Sequence, residues 1–138
     1  MDRRIGGKFL NAGPGYGGSC FPKDTLALVQ TARDAGAPVT LVEQVVAVND
    51  SRKAAMADKI IAACGGSVVG KTIAVLGLTF KPNTDDIREA PCLTVVPRLM
   101  EAGASVRAFD PEGMDEARAH LPGVIWCDDS YGAMSGAD

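Results

Sequence analysis

The stretch from Gly70 onward constrains the fold most. The run Thr72-Ile73-Ala74-Val75-Leu76-Gly77 is short, apolar and ends on a glycine, which predicts a buried strand. Residues 90–102 read as a helix, with Pro91 suited to its first turn and Gly103 just past its end. Ser105-Val106-Arg107-Ala108-Phe109-Asp110 reads as a second strand, stopped by Pro111. Residues 115–120 predict a short helix, 124–127 a third strand and 130–135 the start of another helix. Strands alternating with helices in this way predict an open parallel sheet with right-handed crossovers. The class is α/β, with a Rossmann-like domain over 69–138 that reads as truncated at Asp138.

Residues 1–68 have a different texture and predict a helical segment. Residues 1–23 are glycine-rich with two prolines and read as an extended, turn-punctuated lead-in. Asp24 is a good helix N-cap type, Leu26, Val29 and Ala32 share one helical face, and Gly36 is a good stop. A second helix starts near Thr40, with Glu43 at capping-box spacing. Its broad apolar face runs through Leu41, Val42, Val45, Val46 and Val48, and it stops at Gly65-Gly66. At roughly 25 residues it is about twice the globular mean, a length suited to linking domains or building an interface between chains.

The composition narrows the partners. Over 138 residues, hydrophobic content is 46%, charged content 22% and net charge −3. This is a folded globular balance without the basic excess of a nucleic-acid or anionic-membrane surface. No apolar run has membrane-spanning length, and no signal-peptide core follows Met1, so the expected location is the cytoplasm. Cys20, Cys64, Cys92 and Cys127 are far apart and form no CxxC pair. They read as free thiols rather than zinc ligands.

Two segments carry candidate chemistry. After the first strand comes Gly77-Leu78-Thr79-Phe80-Lys81-Pro82-Asn83-Thr84-Asp85-Asp86, a polar excursion with one glycine. A dinucleotide fingerprint needs GxGxxG there, so this domain reads as Rossmann-like without that site. The loop still leaves the C-terminal end of a parallel strand, where such sheets bind ligands. Lys81 and Arg88 read equally as phosphate contacts and as solvated charges, and Asp110-Pro111 reads as a turn element. The second segment is Gly13-Pro14-Gly15-Tyr16-Gly17-Gly18-Ser19-Cys20. Glycines let backbone approach a ligand closely. A thiol just before a helix, with Lys23 nearby, sits where thiolate is favoured. The alternative for any free cysteine is a small buried hydrophobe, which suits Cys64, Cys92 and Cys127. A Cys-His hydrolase is not expected, because His120 is the only histidine and lies far along the chain.

Taken together, Arg4-Ile5-Gly6, the run from Phe9 through Asn11 and Gly13 to Phe21-Pro22-Lys23-Asp24, Val48-Asn49, and Gly77-Leu78-Thr79-Phe80-Lys81 through Arg88-Glu89-Ala90-Pro91 resemble the UDP-glucose/GDP-mannose dehydrogenase family. The Phe-Pro-Lys-Asp and Arg-Glu-Ala-Pro variants point to its UDP-glucose branch. The resemblance implies residues 1–68 as part of the central, dimer-forming domain and 69–138 as the UDP-sugar domain. It implies NAD-dependent, two-step oxidation of UDP-glucose to UDP-glucuronate through a cysteine thiohemiacetal and thioester. In that scheme Cys20 is the nucleophile and Asp24 orients or activates water. Arg4, Phe9, Leu10, Asn11, Ala12, Gly13, Tyr16, Gly17, Phe80 and Lys81 are implied substrate contacts. Lys23 and Arg88 are implied contacts to NAD, and the long helix is implied to pair in a homodimer. The family's NAD fingerprint and the helix bearing its catalytic lysine and asparagine are absent from these residues. The chain alone is therefore expected to bind a nucleotide sugar or dimerise without turning it over. A GDP-mannose dehydrogenase is the alternative within the family.

Overall fold

The computed structural model describes residues 12–138. The C-terminal half is a three-stranded parallel sheet in the order β1-β2-β3, formed by β1 (Thr72–Leu76), β2 (Ser105–Phe109) and β3 (Ile125–Trp126). Thr72 pairs with Ser105, Leu76 with Phe109 and Ala108 with Trp126. Helices α3 (Cys92–Glu101) and α4 (Met114–Arg118) make the two crossovers, and α5 (Ser130–Met134) packs beneath β1 and β2. Parallel strands require such crossovers, because a hairpin can join only antiparallel neighbours.

The core explains why α3 forms despite Pro97 inside it. Proline offers no N–H to the carbonyl four residues back, a loss of about 3 kcal/mol in an exposed helix. Cys92, Val96 and Leu99 recur at helical spacing and are buried against the sheet. Burying Val96 and Leu99 returns about 1.5–3 kcal/mol each, enough to carry the helix through. Val106, Ala108, Leu78 and Leu121 complete this core. Pro91 lies at the N-cap of α3, one place before the first turn expected for it.

Two longer helices precede the sheet, α1 (Phe21–Asp34) and α2 (Thr40–Ala63). Each helix stop read from glycine forms a Schellman motif. At Gly36, with φ +66°, the Ala37 N–H donates to Ala32 O and the Gly36 N–H to Arg33 O. The same pair of bonds closes α2 at Gly65-Gly66 and α3 at Gly103-Ala104.

The helix starts differ from expectation. Asp24 does not cap α1: its N–H already donates to Cys20 O at 2.8 Å, so the helix begins at Phe21 with Cys20 at the N-cap. Pro22 permits this because a first-turn N–H has no helical acceptor in any case. Thr40 lies inside α2 rather than capping it, and no capping box forms, because the Glu43 side chain accepts from Arg33 of α1 instead.

The buried faces are also narrower than the apolar pattern suggested. Val29 and Ala32 are buried on α1, whereas Leu26 is more than half exposed. The buried stripe of α2 is Asn49, Lys53 and Ala57, and its apolar residues Leu41, Val45 and Val48 are open. The reason is that α2 turns the Asn49–Ala57 stripe toward its neighbours, and Ala57 shares the core of the sheet. Among the described residues no helix is long and apolar enough to cross a membrane.

Candidate active site

The loop before α1 is held in place by groups that take over roles of backbone. Asn49 Oδ1 accepts the Tyr16 N–H at 2.8 Å, and Asn49 Nδ2 donates to Tyr16 O at 3.2 Å. One amide side chain thereby satisfies both backbone groups of Tyr16, as a neighbouring strand would. Two residues on, the Gly18 N–H donates to Arg88 O at 2.8 Å. A Cβ at Gly17 would stand 2.3 Å from Glu89 O, and one at Gly18 would stand 2.7 Å from the Phe80 ring. Only glycines allow the thiol loop to lie this close to the segment after β1. The Tyr16 ring meets Phe21 edge-on at 4.6 Å, bracing the entry into α1.

Cys20 emerges from this clamp exposed, at the N-cap of a 14-residue helix. Its Sγ lies 3.7 Å from Ser19 Oγ. Lys23 is held above its usual range by its hydrogen bond to Asp24 and by the Asp24 charge, with Cys20 adding a smaller part. Arg88 is likewise raised, first by its hydrogen bond to Asp86 and then by that charge, again with a contribution from Cys20. The thiol therefore lies within electrostatic reach of two cations. In return, hydrogen bonds from the Arg88 side chain and backbone lower the Asp86 carboxyl to about 2. Asp24 sits in the first turn of α1, exposed and paired with Lys23.

The other cysteines are in different surroundings. Cys92 Sγ donates to Leu78 O at 2.9 Å, and burial, aided by the Asp110 charge, pushes this thiol up to about 11. Cys127 is also buried. At pH 8 the Cys92 thiol is therefore only about 0.1% thiolate. We expect a thiol reagent such as iodoacetamide to modify Cys20 long before Cys92 or Cys127, as read by peptide mass spectrometry on the folded protein. Equal rates at the three sites would overturn this assignment.

A crevice of about 520 Å³ opens at the C-terminal ends of β1 and β2. Phe80, Lys81, Thr79 and Asp110 line it from the sheet side, and Pro14 and Gly15 reach it from the thiol loop. Lys81 Nζ stands over the Phe80 ring at 5.1 Å. Asp110 organises the floor. Its buried carboxylate accepts from Leu78 N–H (2.6 Å), Thr79 N–H (3.4 Å), Glu112 N–H (2.8 Å) and Gly113 N–H (2.7 Å). Asp110 was read as a turn element; it also ties the two strand-end loops together. Burial raises its carboxyl, but these four donors outweigh burial and hold it below the usual range. The carboxylate also takes up the Leu78 and Thr79 N–H groups, which a dinucleotide pyrophosphate would need after β1. The β1 turn therefore does not fit NAD.

The implied substrate residues are not all brought together. Phe80 and Lys81 line the crevice. Gly17 packs on Glu89, and Ala12 is exposed. Gly13 and Tyr16 instead face an apolar groove of about 480 Å³ on the open side of α2, where Gly13 O accepts from Arg52 Nε. Arg4, Phe9, Leu10 and Asn11 lie outside the described residues. Sequence reasoning missed Pro14, Gly15, Lys53 and Asp110. The glycine spacing pointed to Gly15, but Lys53 and Asp110 declare themselves only through burial.

The comparisons with known proteins agree with this geometry. The central domain of the UDP-glucose/GDP-mannose dehydrogenase family matches residues 1–51, and that family's UDP binding domain matches residues 74–138. The chain is 62% identical to UDP-glucose 6-dehydrogenase of Rhizobium meliloti, over all of this chain and 32% of that one. The solved UDP-glucose dehydrogenase of Pyrobaculum islandicum is 38% identical with a TM-score of 0.87, covering 99% of this chain and 32% of that one. GDP-mannose dehydrogenase of Pseudomonas aeruginosa is 26% identical with a TM-score of 0.81, covering 97% and 32%. The chain spans about a third of the length of the curated relatives it matches. With both domain matches in the same order as the thiol loop and the strand-end crevice, the chain belongs to the UDP-glucose/GDP-mannose dehydrogenase family.

Proposed function

We propose that this chain is the thiol-bearing and nucleotide-sugar-binding part of a UDP-glucose 6-dehydrogenase. The observation that carries the reading is the contact of Gly18 with the Phe80 ring, which brings the Cys20 loop to the rim of the strand-end crevice. The UDP moiety occupies the crevice, with Phe80 against the base and Lys81 on phosphate. The sugar extends past Pro14 and Gly15, which reach the crevice from the thiol loop, toward Cys20. Cys20 Sγ adds to a C6 aldehyde as a thiohemiacetal, and after oxidation the resulting thioester remains open to water. Asp24, on the same helix turn as the thiol, orients that water once Lys23 releases it.

NAD supplies the hydride chemistry in this reading and is held mainly by residues other than those described. Lys23 and Arg88 contribute charge at its edge. The open apolar face of α2, with Leu41, Val45 and Val48, supports pairing with a second copy. Free thiols throughout the described residues support a cytoplasmic setting. Residues 1–68 and 69–138 correspond to the two functional parts, joined physically by α2.

Titration calorimetry tests the substrate class. UDP and UDP-glucose should bind the full-length protein more tightly than GDP and GDP-mannose. Lys81→Ala should weaken UDP binding by about 10- to 100-fold, the value of a lost charge-assisted bond. Tighter binding of GDP-mannose would move the enzyme to the other branch of the family.

A further inference from the structure

Lys53 is the most anomalous residue of the described chain. Its side chain is 5% exposed, whereas its nearest carboxylate, Glu89 Oε2, is 3.7 Å away on a side chain 62% exposed. Burying an ammonium costs several kcal/mol, and a loose ion pair to an exposed partner offsets little of it. A hydrophobe of similar volume would pack at that place at least as stably. Stability therefore gives no reason for a lysine here.

Its contacts give another reason. Lys53 Nζ donates to Glu89 O at 3.0 Å. Glu89 has φ +55°, a left-handed conformation that a non-glycine residue keeps only when its surroundings impose it. Lys53 grips this residue at both carbonyl and carboxylate. That grip fixes the neighbouring Arg88 carbonyl, which receives the Gly18 N–H, and the Glu89 carbonyl against which Gly17 packs. One turn earlier on α2, Asn49 holds Tyr16 through both backbone groups. Between them, the ideal Cβ position of Gly15 lies 2.9 Å from Lys53 Cγ and 3.0 Å from Asn49 Oδ1. Gly15, Tyr16, Gly17 and Gly18 thus rest on, or are tied through, one polar stripe of α2.

We infer that Asn49 and Lys53 are positioning residues that set Cys20 against the crevice and Arg88, so that α2 acts as the jig of the thiol loop. Neither touches the reacting atoms. The inference rests on the reading of Cys20 as nucleophile and goes beyond it by naming what aims the thiol. Misplacing a reacting atom by about 1 Å costs on the order of 100-fold in rate, and these contacts act at that scale.

The test uses the full-length protein with Lys53→Met and the near-isosteric Asn49→Asp, which keeps the acceptor for Tyr16 N–H and loses the donor to Tyr16 O. Both variants should lower kcat for UDP-glucose oxidation by about 10- to 100-fold, with KM for UDP-glucose within about twofold of the parent. Both should also slow iodoacetamide alkylation of Cys20 in the unliganded protein, because the loop no longer holds the thiol beside Arg88. A folded variant with parental kcat and parental alkylation rate overturns the inference, as does a rise in KM with kcat unchanged. Should Lys53→Met fail to fold, the Asn49→Asp result decides alone. A parent that shows no turnover of UDP-glucose, while the variants still slow alkylation, overturns the dehydrogenase reading and upholds the jig.

Discussion

Replacing Cys20 by serine in the full-length protein will lower turnover of UDP-glucose by at least about 1,000-fold, with UDP-glucose binding unchanged. The loss follows from the difference between a thiol and a hydroxyl. Cys20 stands exposed at a helix N-cap, and a thiol is intrinsically a far better nucleophile toward an aldehyde than a serine hydroxyl in the same place. Binding is spared because the crevice is lined by Phe80, Lys81 and the strand-end loops, not by Cys20. Steady-state NADH production and calorimetry on the same preparation separate the two effects. Retention of more than about 1% of parental turnover would remove Cys20 from the chemistry.

The second large effect is on stability. Asp110→Asn will lower the unfolding free energy by about 2–4 kcal/mol, because the amide presents an NH₂ to donors that need an acceptor. The four N–H groups belong to two different loops, so the change loosens both walls of the crevice at once. The pH dependence has a definite sign. Asp110 is held below the ordinary carboxylate value in the folded chain, so its stabilisation is complete above about pH 4. It is lost as pH falls through the lowered folded value, where both states become protonated. Urea unfolding of parent and variant at neutral pH and in acid should show a gap that closes on acidification. A gap independent of pH would mean that Asp110 acts by packing rather than by its charge.

The local parts of this fold were legible because they depend on neighbours in sequence. Gly36, Gly65 and Gly103 end helices through bonds within six residues of chain, so their positions could be read directly. The strands were legible for a related reason, since β1 is a short apolar run closed by Gly77 and β2 is stopped by Pro111. Helix starts were less legible. Asp24 and Thr40 have good capping chemistry, yet Cys20 and Val39 occupy the caps, and at Cys20 the loop held by Asn49 and Arg88 sets where the first turn begins.

Cys20 shows the division most clearly. The amino-acid sequence determined that one thiol of four follows a glycine run and opens a helix, and its motifs determined the family. It could not show that Gly17 and Gly18 are glycines because Glu89 and Phe80 press on them, or that Asn49 holds Tyr16 across 33 residues and Lys53 holds Glu89 across 36. It could not show that Gly13 and Tyr16 face the groove on α2 while Pro14 reaches the crevice and Gly15 borders both. Helix and strand ends are set by short-range bonds and by glycine and proline. The aim of a thiol is set by contacts between segments distant in the chain, and only the tertiary structure brings those together.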